Sequence, residues 1–208
     1  MLCWPSKASP GARPSCRRAR LAWLVRCLLL ACLLVPGWAL AGRIDPVEAT
    51  ISSGDEGYQL SAKFDIDLGT HLEEAVSRGV PLYFLLEFDL TRNRWYWSNE
   101  HIAGKTINYR LAYNALTRQY RLSRGGLHQS FVSLEEALRV LSRVAAMPLA
   151  DKGALKNGEA YQAALRLSLD RQQLPKPFQV DAIANRDWQV ESATLRWQFV
   201  AGSEGGGR

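Results

Sequence analysis

The stretch Tyr58-Gln59-Leu60-Ser61-Ala62-Lys63-Phe64-Asp65-Ile66-Asp67-Leu68 alternates without a break. Tyr58, Leu60, Ala62, Phe64, Ile66 and Leu68 share one face, and Gln59, Ser61, Lys63, Asp65 and Asp67 share the other. Period-two alternation of this kind is an antiparallel strand with one face on a core and one in water. The turn Gly54-Asp55-Glu56-Gly57 joins it to an earlier strand near Val47–Ser52, as a hairpin.

The pattern recurs further along the chain. Ile107, Tyr109, Leu111 and Tyr113 oppose Asn108, Arg110 and Ala112. Tyr161, Ala163, Leu165, Leu167 and Leu169 oppose Gln162, Arg166, Ser168 and Asp170. Ala193, Leu195, Trp197 and Phe199 oppose Thr194, Arg196 and Gln198. Only Pro81–Leu90 is nearly apolar throughout, which predicts a central strand covered on both faces over much of its length. Its Glu87 and Asp89 fall on one side, with Tyr83 and Leu85.

Two segments carry helix signals. Thr70-His71-Leu72-Glu73 reads as a capping box, and Gly79 stops that helix before Pro81. Ser133-Leu134-Glu135-Glu136 reads as a second box. Leu134, Ala137, Leu138, Leu141, Val144 and Ala145 then form an apolar stripe that Met147-Pro148 ends. Leu149–Glu159 and Leu174–Pro177 read as loops, the second held extended by Pro175 and Pro177, with a cis bond as one option. The fold class is therefore α+β, mainly antiparallel sheet, sandwich-like or strongly curved, with two capped helices. Both helices open with Leu-Glu-Glu-Ala, at 72–75 and 134–137, between strand signals. That allows a duplicated β-β-α-β-β unit, although acidic first turns also suit the helix dipole on their own.

The chain has 208 residues, 47% of them apolar, 26 basic and 20 acidic residues, and four cysteines. It is too apolar and too weakly charged for intrinsic disorder. A net charge of +6 points to nucleic acid or an acidic membrane, and four cysteines point to disulfides or a metal. Position removes both readings. Residues 1–20 carry Lys7, Arg13, Arg17, Arg18 and Arg20 and no acid. The apolar run Leu21–Leu40 is broken once by Arg26, and Ala39-Leu40-Ala41 is a small-x-small site. This is the pattern of a secretory signal peptide cut after Ala41. An uncleaved inner-membrane anchor is the alternative, but the clean run Cys27–Leu40 contains Pro36 and is shorter than the roughly 20 residues that spanning needs. The expected organisation is a cleaved leader over 1–41, one domain over 42–200 and a disordered tail over 201–208, in the periplasm or secreted. Six of the 26 basic residues and none of the 20 acidic ones lie in the leader, which leaves 20 against 20. Cys3, Cys16, Cys27 and Cys32 also lie there. The expectation is a neutral, cysteine-free mature domain with no cofactor, no cysteine metal site and no nucleic-acid partner.

Candidate chemistry is sparse. Glu87 and Asp89 share a strand face, as do Asp65 and Asp67, and such pairs serve cation binding, acid–base work or ordinary pairing with Arg110, Arg166 and Arg196. Arg94-Trp95-Tyr96-Trp97-Ser98 puts Trp95 and Trp97 on one face and Tyr96 on the other, a pattern that binds sugar rings, peptides or a partner surface when exposed. His71, His101 and His128 form no zinc-spaced pair, and there is no Gly-x-Ser-x-Gly elbow. Gly125-Gly126 reads as a turn.

Gly79-Val80-Pro81-Leu82-Tyr83-Phe84, Arg94-Trp95-Tyr96-Trp97, the run Leu111–Tyr120, Gln129-Ser130-Phe131 and Gln173-Leu174-Pro175-Lys176-Pro177-Phe178 together carry a family resemblance. The chain resembles, over about residues 44–200, the exported bacterial proteins called domain of unknown function 4390. The resemblance implies a signal-bearing envelope protein of Gram-negative bacteria, encoded near sensor kinases of a nitrogen-regulation type. It brings no assigned activity and no site residues.

The expected function is a non-catalytic periplasmic interaction module that works with an envelope or membrane protein, a sensor kinase being the class the resemblance implies. The alternative is a glycan- or peptide-binding domain using Trp95–Trp97. A carboxylate-based hydrolase using Glu87 or Asp89 stands third.

Overall fold

In the computed structural model, residues 42–92, 94, 100–151, 153–202 and 205–207 are described. The alternating stretch forms β2 (Gly57–Asp67), paired with β1 (Arg43–Ser53) across the expected turn, where Gly54 N–H donates to Gly57 O at 2.7 Å. β1 starts earlier than its apolar signal, because pairing with β2 carries it back to Arg43. A four-stranded antiparallel sheet has the order β10-β1-β2-β7, with β7 at Arg143–Asp151 and β10 at Gly205–Gly207. The glycines of β10 have no apolar signal, and they lie beside β1 in a tail that the sequence left without structure.

The second sheet has six antiparallel strands in the order β6-β5-β4-β3-β8-β9. These are β3 (Leu82–Arg92), β4 (Glu100–Asn114), β5 (Gln119–Arg124), β6 (Leu127–Phe131), β8 (Ala160–Leu169) and β9 (Leu195–Val200). β3 is central, as its apolar run requires, between β4 and β8. Its Leu82, Phe84, Leu86, Phe88 and Leu90 are buried. The other face is not covered as expected: Tyr83, Leu85 and Asp89 are half-buried and Glu87 is exposed. Thr106, Asn108 and Arg110 of β4 and Arg196 and Gln198 of β9, which share that face, are exposed too. One face of the six-stranded sheet is thus solvent-facing.

Both sheets feed one apolar core. Ile51, Leu60 and Phe64 enter from the first, and Phe84, Leu111, Leu165 and Phe199 from the second. Tyr58 meets Phe199 edge-on, with ring centroids 5.5 Å apart, between the sheets. Each such side chain contributes about 1.5–3 kcal/mol through burial. Ser192 is buried at the junction. Its backbone bridges to Ile44 of β1, while its N–H and Oγ bond Leu167 O and N at 2.8 and 3.0 Å.

The helices depart from their sequence signals in instructive ways. α1 (Gly69–Ser77) begins before the Thr70 box, because Asp67 Oδ1 accepts from Gly69 N–H at 2.9 Å. It ends on the expected Gly79, whose φ of 94° permits a Schellman stop: Gly79 N–H to Val76 O and Val80 N–H to Ala75 O. α2 (Leu134–Leu141) is capped by Ser133 as read, with Oγ accepting from Glu136 N–H at 3.2 Å. It stops short of Val144 and Met147. Those residues enter β7, opposite Ala62 and Leu60, because the edge of β2 takes them as ladder partners. Residues 149–151, read as loop, extend β7. A third helix, α3 (Lys176–Ala184), replaces the expected extended Pro segment. Pro175 and Pro177 stand at its start, where a missing N–H costs nothing, and no peptide bond among the described residues is cis.

The order β-β-α-β-β occurs twice, in β1–β4 with α1 and in β5–β8 with α2. The pairing is not repeated: β3 pairs β4, whereas β7 and β8 go to different sheets.

Candidate binding site

The solvent-facing side of β3 positions Glu87 and Asp89. Strand register places Thr106 and Arg166 beside Glu87, and Gly104 and Ala164 beside Asp89. Asp89 Oδ1 lies 2.7 Å from Nδ1 of His101, with the two side chains 50% and 63% exposed. A bulge between Leu90 and Thr91 shifts the β3–β4 register and brings His101 back over the sheet. The imidazole rests above Gly104, where a Cβ would stand 2.8 Å from Cε1 and 3.2 Å from Nε2. Only glycine leaves that space.

These groups line an open hollow of about 340 Å³, together with Lys105 and Thr194. Arg166 does not pair with Glu87; it bonds Glu191. Arg110 stacks near Tyr83, with Cζ 6.0 Å from the ring centroid, and has no carboxylate partner among the described residues. The hollow therefore offers one carboxylate without an ion pair among the described residues, a carboxylate–imidazole pair and hydroxyls, whereas the Lys105 ammonium is bonded to Pro148 O. That set accepts and donates hydrogen bonds to a polar ligand, and solvent reaches it from outside.

Beside it, a cluster of charges braces the end of the β3–β4 hairpin. Arg92 Nη1 lies 2.7 Å from Glu159 Oε2, and its Nε donates to Glu100 Oε2 at 2.9 Å, with a second bond from Nη2. Arg94 donates to the same Glu100 oxygen at 2.7 Å. Tyr161 OH donates to Glu159 at 3.3 Å. The hydrogen bonds from Arg92 hold both carboxyls below their ordinary value of 4.5. Those to Glu159 and then Glu100 push the Arg92 guanidinium up. Trp95, Tyr96 and Trp97 belong to the segment that this brace closes, and they lie outside the described residues.

Asp65 and Asp67, the matching carboxylates of β2, are in the other sheet and are used locally. Asp65 is 4.0 Å from Arg43, and Asp67 accepts from Gly69 N–H at the start of α1. His71 approaches Asp181 at 3.8 Å, and Asp181 accepts from Trp188 Nε1 at 2.8 Å. His101 and the Arg92 brace escape a reading by local spacing. The signal for Arg92–Glu100 was the hairpin itself, whose two arms face each other at these residues.

Among the described residues no group of three or more His, Cys, Asp or Glu side chains is placed to hold a metal ion. No helix among them is long and apolar enough to cross a membrane. The expectation of a cysteine-free mature domain is corrected: the chain contains four cysteines. All four precede residue 42, so the statement holds only for the described residues.

Fold and hollow define an α+β domain of two antiparallel sheets, with a polar sheet face open to solvent. Residues 41–198 match the family model described as domain of unknown function (DUF4390), and the chain belongs to that family. Comparison with curated proteins and with solved structures gives no match.

Proposed function

We propose that the chain is exported by residues 1–41 and serves in a Gram-negative envelope as a non-catalytic module that holds another envelope or membrane protein. The observation that carries this reading is the uncovered face of β3, β4, β8 and β9. Its polar groups gather around an open hollow instead of an enclosed pocket. Chemistry on a substrate gains from excluding water, which strengthens the charges that act on it. A hollow this open leaves Asp89 and His101 hydrated, which suits reversible hydrogen bonding to a partner surface. A sensor kinase is the partner class favoured by the resemblance.

The braced hairpin favours a second reading, a glycan- or peptide-binding segment at Trp95–Trp97. Two arginines and two glutamates tie together the described residues on either side of that aromatic stretch.

A photoreactive amino acid at position 87 or 95, activated in intact cells, tests both. The expected result is one envelope protein captured from position 87 and absent from position 65 on the other sheet. Capture of a short peptide or glycan from position 95 alone selects the second reading. Recovery of uncrosslinked chain from both positions overturns the two together.

A further inference from the structure

The two sheets treat their outer strands differently. β7, at the edge of the four-stranded sheet, carries Pro148, a residue with φ of 46° at Ala146, and a hydrogen bond from Lys105 Nζ to Pro148 O at 3.2 Å. Proline, irregular backbone and lysine are the devices that stop an edge from pairing with another chain. β6, at the edge of the six-stranded sheet, reads Leu127-His128-Gln129-Ser130-Phe131 and has no proline, lysine or acid. The two-residue turn Gly125-Gly126 makes Arg124–Leu127 the closing pair with β5. Alternation then directs the N–H and C=O of His128 and Ser130 to the open side.

Next to this edge is a hollow of about 200 Å³. Leu122 and Tyr109 form its buried floor, and Leu127 and Val140 stand at its rim, 74% and 41% exposed. Arg124 and Arg143 also line it, and no acidic residue does. Neither arginine has an ion pair among the described residues. The site therefore lacks three things: a strand for its main-chain groups, an apolar side chain for its floor and carboxylates for its arginines.

We infer that β6 docks an extended acidic–apolar segment of a partner protein, which adds a seventh strand to the sheet. Main-chain bonds to His128 and Ser130 supply affinity, and an apolar and an acidic side chain two positions apart, both on the face that meets the hollow, supply selection. The concave placement of Leu127 and Val140 suits an inserted side chain better than a flat bilayer. The inference rests on the interaction-module reading and gives that module's partner a chemistry.

The test uses the full chain and N-acetylated hexapeptides with valine at positions 2 and 6, glutamate, serine or lysine at position 4 and threonine elsewhere, so that valine and the varied residue share one face, below their self-association concentrations. The glutamate peptide should bind about tenfold more tightly than the lysine peptide, and it should slow amide exchange at His128 and Ser130. Arg124→Glu with Arg143→Glu should reverse that order. Ser130→Pro should abolish binding while leaving the thermal midpoint unchanged, since proline is tolerated on an edge. Equal binding of all three peptides, no protection at these amides, or protection by phosphatidylglycerol vesicles instead overturns the inference. Crosslinks from position 87 report separately on the module reading.

Discussion

Asp65-Ile66-Asp67 on β2 and Glu87-Phe88-Asp89 on β3 are the same pattern: two carboxylates flanking a core-side apolar residue on an antiparallel strand. Their fates differ. Asp67 turns back to hold the first amide of α1, and Asp65 faces Arg43, four residues from the beginning of helical chain. Asp89 meets an imidazole from a neighbouring strand, and Glu87 stays exposed beside an arginine that Glu191 has taken. Alternation decides which face a carboxylate occupies. What comes next decides its use, because β2 runs directly into a helix with free amides whereas β3 runs into a hairpin.

The comparison breaks most visibly in the core, where the two strands should behave alike. Phe64→Ala and Phe88→Ala each remove a buried ring and should each cost about 3–5 kcal/mol of unfolding free energy in denaturant titration. A markedly smaller loss at Phe88 would show that the open face leaves β3 loosely packed. A smaller effect separates the carboxylates. Asp67→Ala strips a helix-start acceptor and should cost about 1 kcal/mol. Asp89→Ala should stay within about 0.5 kcal/mol, as exposed pairs do, yet shift the ring nitrogen signals of His101 in NMR spectra. Equal costs at the two positions would erase the distinction between a structural and a site carboxylate.

The smallest effect lies in the brace beside the hollow. Glu100 and Glu159 titrate below 4.5 in the folded chain. Their contribution is therefore complete above the ordinary carboxylate range and is lost as pH falls through the lowered values. Protection of the Arg92 and Glu100 amides, measured relative to the intrinsic exchange rate at each pH, should fall on acidification from pH 5 to about pH 3. Arg92→Gln should abolish that extra loss of protection without altering protection in β2.

Strands with a clean two-residue period were legible in advance, because burying one face fixes both register and identity: β2, β8 and β9 appear where Leu60, Leu165 and Phe199 required them. Ser133 was legible as a cap for the same local reason. The end of α2 was not, since Val144 satisfies the helical stripe and the inward face of β7 equally well. α3 was hidden because Val180 and Ile183 face solvent, so it has no stripe to read. In the site, Glu87 and Asp89 were correctly placed on one face. His101 was invisible because a bulge, which alternation does not encode, swings it onto Asp89. Glu159 reaches Arg92 from a loop 67 positions further on, and no local pattern reports such a meeting.

Ser192 and Ile44 meet about 150 residues apart in sequence, and contacts of such separation are the slowest to form because the intervening chain has to be closed first. A chain emerging amino end first makes β1 early and supplies Ser192 only after eight strands and three helices have at least begun to exist. The junction between the sheets is therefore one of the last clasps of the fold, ahead only of the β1–β10 pairing. Until it closes, the start of β1 and the amide of Leu167 wait for their partners, and an exported chain would cross its membrane with that clasp undone.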